Sequence, residues 1–180
     1  MIPRDETVRL IGALTAMENK LLDAAHHWEL LDENGCVPAA PSYTELLQHA
    51  ADAHDLSRDV LRLTGDFAGS PYRTTRAGSA VLVHLATASS LSVHAAPHFA
   101  DTADGALSVL QSGGPLDHNL ANRMVIDHAV ARSFLRRASE PLRDAAKELD
   151  DHLDFHRFLT KLTPRNSPVL PPSRPGRRHH

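Results

Sequence analysis

Histidine is the side chain in this sequence that could support the most chemistry. The 180 residues include 13 histidines, and near neutral pH the imidazole ring both titrates and binds metal ions. His94 and His98 are four residues apart, as are His152 and His156, so each pair could bind a metal from one face of a helix. Neither pair lies in an H-E-x-x-H motif. Pro97 predicts an irregular helix at His98, so the first pair is not expected to converge.

One acidic residue points inward. The helical periodicity places Asp127 among the apolar residues of its helix, and a buried carboxylate needs a partner. Arg123, one turn earlier on the same helix, could form an ion pair with Asp127, and we favour this purely structural interpretation. The sharper hypothesis is a metal site in the core for Zn, Ni or Fe, built from Asp127 together with histidines of other helices. Its candidate ligands are His54, His84, Asp127 and His156.

Arginines suggest a second alternative, which is binding of nucleic acid. Arg132 and Arg136 are one turn apart and Arg137 follows, so their guanidinium groups could contact phosphates. Arg177 and Arg178 in the C-terminal tail could add to this surface. The formal net charge is −3, however, and the first two predicted helices are acidic. A strongly basic face, which is typical of DNA-binding proteins, is therefore not expected.

Motifs for catalysis are not found in the sequence. It contains no G-x-S-x-G, and the Gly113–Gly114 pair is not followed by the Lys-Ser/Thr of a phosphate-binding loop. The single cysteine, Cys36, excludes an internal disulfide and a multi-cysteine zinc site. We therefore expect no catalytic residues and no organic cofactor, and a metal ion is the one cofactor that the residues could hold.

The elements that would position these residues are helices. Helix one is predicted from about Asp5 to Leu31, and helix two begins at a capping box of Ser42 and Glu45. Both carry apolar stripes with the 4, 3 spacing of coiled-coil-type packing. The stripe of helix one is Leu10, Leu14, Met17, Leu21, Ala24, Trp28 and Leu31, and that of helix two is Leu46, Ala50, Ala53, Ser57, Val60, Thr64 and Phe67.

A long uncharged stretch follows these two helices. Residues 77–100 contain no Asp, Glu, Lys or Arg, but their histidines, serines and proline are too polar for a membrane span. They predict a central helix with His84 in the core, and Pro97 either kinks that helix or starts a new segment. Helix four is predicted over residues 117–138. Ser139, with Pro141 in the first turn, is expected to start a fifth helix.

The predicted fold is all-α. Residues 1–162 form an up-and-down antiparallel bundle of four long helices plus a fifth segment. Residues 163–180, with five prolines and four arginines, form a disordered basic tail. Arginine outnumbers lysine 16 to 3, which is typical of a GC-rich, bacterial genome.

The expected function is that of a non-enzymatic interaction or regulatory protein. Several apolar residues fall outside the main stripes, and such residues suggest a surface for self-association or for a helical protein partner. They are Ile11, Leu22, Leu30, Phe155, Phe158 and Leu162. The charged start of the chain is not a secretory signal, so a cytoplasmic location is expected.

Overall fold

The fold is an all-α bundle. A computed structural model describes residues 2–162, and this part contains five α-helices, one short 3-10 helix and no strand. The predicted disordered basic tail, with Arg177 and Arg178, lies outside the described residues. The helices are α1 (Arg4–His27), α2 (Tyr43–Gly69), the 3-10 helix (Pro71–Thr74), α3 (Arg76–Ser92), α4 (Ala95–Ser112) and α5 (His118–Leu162).

The helices form an antiparallel ring of four rods. Helices α3 and α4 follow one another with a break of two residues, so together they form one kinked rod. Helix α5 packs against α1 on one side and against α3 and α4 on the other. Helix α2 packs against α3 and α4, and its smaller contact with α1 closes the ring. The predicted up-and-down bundle of four long helices plus a fifth segment is confirmed.

The stripes of the first two helices are buried as predicted, except that Trp28 and Thr64 are half-buried and Leu31 is 40% exposed. Leu14, Leu21, Ala53 and Val60 are almost completely inaccessible to solvent. The Oγ of Ser42 accepts a hydrogen bond from the backbone N–H of Glu45 at 3.3 Å, which satisfies one of the free N–H groups at the start of α2. Local periodicity is therefore sufficient to identify these helices and their buried faces.

Helix α1 ends four residues earlier than predicted, at His27 rather than Leu31. The chain instead forms a loop in which Asp32 replaces helical hydrogen bonds. Its Oδ1 accepts hydrogen bonds from the backbone N–H groups of Asn34 and Cys36, at 2.9 and 3.0 Å. Asp side chains compete with the backbone in this way and favour turns.

Pro97 starts a new helix rather than bending a continuous one. The break falls at Val93 and His94, and Pro97 lies in the first turn of α4. A proline ring clashes with the carbonyl four residues earlier, which here is that of Val93, but the first turn of a helix tolerates proline. The break four residues before Pro97 follows directly.

Pro141, in contrast, does not interrupt its helix. The prediction that a fifth helix starts at Ser139 is therefore wrong. Helix α5 runs through Pro141 without interruption, and the Oγ of Ser139 donates to the carbonyl of Arg136 at 2.6 Å. Leu142 and Leu149 beyond the proline are completely buried. Burial of this face against the neighbouring helices outweighs the hydrogen bond that a proline removes.

The uncharged stretch, residues 77–100, is less buried than the predicted central helix. Val83 on α3 is 64% exposed and His84 is only half-buried. The rod Arg76–Ser112 contains an 18-residue window of mean hydropathy 1.3, of which 33% is buried. This rod is long and apolar enough to cross a membrane, and core helices of soluble proteins can be equally long and apolar. The absence of a membrane span stays a prediction.

Candidate functional site

The candidate functional residues lie close together in one layer of the bundle, where α4 faces α5. Two consecutive residues on each helix contribute to this layer: His98 and Phe99 on α4, and Asp127 and His128 on α5. Consecutive helical residues point about 100° apart, so each helix sends one side chain to either side. Phe99 and His128 lie on a buried side, whereas His98 and Asp127 lie on a half-exposed side.

The buried side is an aromatic cluster, defined by Trp28, His49, Phe99 and His128. The rings of Trp28 and His49 are stacked, with centroids 5.1 Å apart and an interplanar angle of 7°. Phe99 contacts Trp28 edge-on at 5.2 Å and His128 edge-on at 5.3 Å. Four elements of the chain therefore converge here: the loop after α1, and helices α2, α4 and α5.

The two histidines of the buried aromatic cluster are held neutral. Burial, together with the nearby Arg132 and His49, lowers the pKa of His128 to about 4. Burial also lowers the pKa of His49, although Glu45 and Asp52 oppose this shift. Nδ1 of His49 and Nε2 of His128 are buried without a hydrogen-bond partner. These rings therefore act as apolar packing groups.

Arg132 donates hydrogen bonds to the C-terminal end of α1, beside the buried aromatic cluster. Its Nε donates to the carbonyl of Ala25 at 2.6 Å, and a terminal nitrogen donates to that of His26 at 3.4 Å. These carbonyls belong to the last turn of α1, which has no helical partners for them. A cavity of about 260 Å³ lies alongside, lined by Glu29, Leu30, Leu31, Asp32, Val125, His128, Ala129 and Arg132.

The half-exposed side is a His–Asp cluster, defined by His98, Asp101 and Asp127. One ligand atom from each residue lies within 4.8 Å of the other two. Nδ1 of His98 is 3.7 Å from Oδ1 of Asp127, and this nitrogen is buried without a hydrogen-bond partner. The ring of His98 stacks on Phe134 with centroids 5.8 Å apart, which fixes its orientation.

An apolar groove lies between α2 and the α3–α4 rod. Its volume is about 770 Å³, and small side chains form much of its lining. Leu47, Leu61 and Val93 are large apolar residues of the groove that remain exposed. The lining residues are Leu47, Ala50, Ala51, His54, Ser57, Arg58, Leu61, Val93, Ala96, Pro97 and Ala100.

The structure does not bring the four predicted metal ligands together. His54 is exposed in the apolar groove on α2, and His84 is half-buried on α3. Asp127 and His156 lie on one continuous helix, so at about 1.5 Å per residue they are about 44 Å apart. The sequence hypothesis placed them on separate helices because it divided α5 at Ser139.

The partner of Asp127 also differs from the expected one. Arg123 is exposed, and within residues 2–162 the carboxylate of Asp127 instead lies 3.7 Å from Nδ1 of His98. His156 instead contacts His152, with their Nε2 atoms 3.2 Å apart. The predicted Arg123–Asp127 pair is thus not formed, and a histidine from a neighbouring helix takes its place.

The predicted phosphate-binding arginines are divided between two environments. Arg132 is half-buried, and its guanidinium is hydrogen-bonded to the end of α1. Arg136 and Arg137 are exposed, and the guanidinium carbon of Arg137 lies 5.7 Å from the ring centre of Phe134. Arg177 and Arg178 lie outside the described residues.

Sequence reasoning missed His128, although a signal for it was present. His128 continues a 4, 3 stripe on α5 in which every member is buried: Met124, His128, Ala131, Leu135, Ala138 and Leu142. His98 was discounted because of Pro97. The i, i+3 spacing of His98 and Asp101 would have placed both on one helical face.

Comparisons with protein-family models, with curated proteins and with solved structures gave no match to this chain.

Proposed function

We propose that this chain is a non-enzymatic interaction protein that self-associates through the apolar groove, with α2 of a second copy as the occupant. The observation that supports the proposal is a row of residues along α2 with helix-pairing spacing. Its members are Leu47, Ala51, His54, Arg58 and Leu61, and all are exposed. The regulatory role and cytoplasmic location expected from the sequence belong to the same proposal.

The spacing of this exposed row repeats that of the buried stripe. The buried residues Leu46, Ala50, Ala53, Ser57 and Val60 face the other helices, and the exposed row follows one residue later with the same 4, 3, 4, 3 intervals. Such intervals keep side chains on one seam against a neighbouring helix. Within the described residues, no helix of the chain covers this second seam.

A second copy is an occupant of complementary shape. When two α2 helices pair in antiparallel order about a two-fold axis, Leu47 of one lies near Leu61 of the other. The long side chain of Arg58 then lies over the small Ala51 of the second copy. A two-fold interface needs such self-complementarity. Ala50 and Ser57 beside the row, which are small, allow the two helices to approach closely.

The oligomeric state tests the proposal directly. We expect light scattering and sedimentation to show a dimer, and Leu61→Asp to raise its dissociation constant at least about tenfold, or about 1.4 kcal/mol. The introduced carboxylate would lie against Leu47 of the second copy and would lose solvation when the two helices pair. The matched control is Val83→Asp, since Val83 is also exposed but lies on α3 outside the groove.

Two results would count against the proposal. The first is a chain that stays monomeric up to about 100 μM, where a dimer of micromolar affinity is well populated. The second is a dimer that Val83→Asp weakens as much as Leu61→Asp does. A photo-cross-linking residue at position 51 in the native host then identifies the occupant. If the chain is monomeric and cross-links to another protein, that protein occupies the groove in place of a second copy.

A further inference from the structure

The His–Asp cluster joins two helices that pack against one another. His98 and Asp101 are three residues apart on α4, so they project from the same face, and Asp127 projects from α5 towards them. Their ligand atoms lie within 4.8 Å of one another. This cluster differs from the metal site that the sequence predicted, with which it shares only Asp127.

The side chains of His98 and Asp127 lie close together but do not form a hydrogen bond. The distance from Nδ1 to Oδ1 is 3.7 Å, which is too long for a hydrogen bond. Buried polar nitrogens normally have a partner, yet Nδ1 of His98 has none in the described structure. An ion with bonds of about 2.0–2.2 Å to nitrogen and oxygen can lie between these two atoms and satisfy both.

We propose that His98, Asp101 and Asp127 bind one divalent transition-metal ion of the Zn²⁺ type. One imidazole and two carboxylates suit this class, whereas Mg²⁺ and Ca²⁺ prefer ligands that are all oxygen. Asp101 is exposed, so solvent reaches the ion and completes its coordination. The arrangement of three protein ligands and one water is the one that open Zn²⁺ sites have.

The ion fastens the start of α4 to α5, close to the break at Val93 and His94. Pro97, immediately before His98, belongs to the apolar groove on the other side of α4. None of the three ligands lines that groove. The metal site therefore goes beyond the proposed self-association and can be tested without it.

Calorimetric titration of the chelator-treated full chain with Zn²⁺ is the direct test. We expect one saturable site per chain, and we expect His98→Gln, Asp101→Asn and Asp127→Asn each to lower its affinity at least about tenfold. Binding of the ion to the folded chain raises the melting temperature, and this rise disappears in the same variants. Co²⁺ in place of Zn²⁺ gives d–d absorption bands that report the coordination geometry of the bound ion, and we expect His98→Gln to change them.

Controls separate this site from weak binding by the other histidines. Asp104→Asn changes an exposed carboxylate three residues beyond Asp101 on α4, and His152→Gln disrupts the His152–His156 pair. Both variants are expected to bind Zn²⁺ like the unaltered chain. The proposal is overturned if the chain has no saturable site, if Asp101→Asn and Asp127→Asn bind normally, or if His152→Gln causes the loss instead.

Discussion

The buried aromatic cluster and the His–Asp cluster lie in one layer of the bundle, on consecutive residues of the same two helices, yet they place histidine in opposite environments. His128 is 3% exposed and contacts aromatic rings. His98 is half-exposed and faces two carboxylates. On each helix one residue, or a rotation of about 100°, separates the buried side from the half-exposed side. Histidine is a packing group on the first side and a candidate metal ligand on the second.

The difference shows that a histidine's role depends on what its neighbours offer. In the buried aromatic cluster burial disfavours the charged form of both histidines, and at His49 this effect outweighs the opposing charges of Glu45 and Asp52. The ring stays neutral and its nitrogens gain nothing from a cation. In the His–Asp cluster the carboxylates supply negative charge and solvent has access, which are the conditions that metal binding needs.

The largest expected effect tests the structural side of this comparison. Phe99→Ala leaves a cavity among Trp28, His49 and His128, and we expect it to lower the free energy of unfolding by about 3–5 kcal/mol. Phe134→Ala is the matched control, since Phe134 contacts His98 on the half-exposed side and is only half-buried. Urea denaturation measures both. Equal losses of unfolding free energy in the two variants would show that the buried side and the half-exposed side contribute equally to stability.

The second prediction concerns acid. In the folded chain the pKa of His128 is lowered to about 4 from its ordinary value of 6.5, so the unfolded chain binds the proton more readily. The stabilising contribution is complete above pH 6.5, falls as the pH drops towards 4 and is constant below that. The loss amounts to about 3 kcal/mol, and the lowered pKa of His49 acts in the same direction.

His128→Leu isolates this contribution, because leucine fills similar space without titrating. We expect its free energy of unfolding to decrease less between pH 7 and pH 4 than that of the unaltered chain. The control is His118→Leu, since His118 is exposed on the same helix, and its pH profile should match that of the unaltered chain. A profile for His128→Leu that is as steep as the original would show that His128 is not held neutral by burial.

The smallest expected effect belongs to the His–Asp cluster. In metal-free protein Asp127→Asn is expected to change the free energy of unfolding by less than about 1 kcal/mol, because partly exposed ion pairs contribute little. Thermal denaturation in the presence of a chelator measures it. A loss comparable to that of Phe99→Ala would mean that Asp127 is structural, and it would make the two sides alike.

Two prolines show how far sequence alone could predict the fold. Pro97 and Pro141 both lack the N–H group that a helix uses, and local rules assign a break to each. The chain breaks before Pro97 but not at Pro141, since Leu142, Ala145 and Leu149 beyond it are completely buried. Helix boundaries at prolines therefore depend on tertiary burial, which a local pattern does not contain.

The candidate site was predictable only in part. Helical periodicity predicted that Asp127 faces inward and needs a partner, and the structure places its side chain on the half-exposed side, 24% exposed. The choice among Arg123 and several histidines does not follow from periodicity, because it depends on which turn of α4 lies opposite α5. Gly105 influences that register: a Cβ there would lie 2.6 Å from Cγ of Met124, so the two helices approach closely at this level.

By itself, the sequence determined the all-α class, the buried faces of α1 and α2 and the cap at Ser42, since these follow from spacings within single helices. Tertiary structure alone decided that α5 is continuous, that Asp127 meets His98 and that Arg132 bonds to the end of α1. Arg132 and Ala25 are 107 residues apart, and contacts over such distances arise from how whole helices pack.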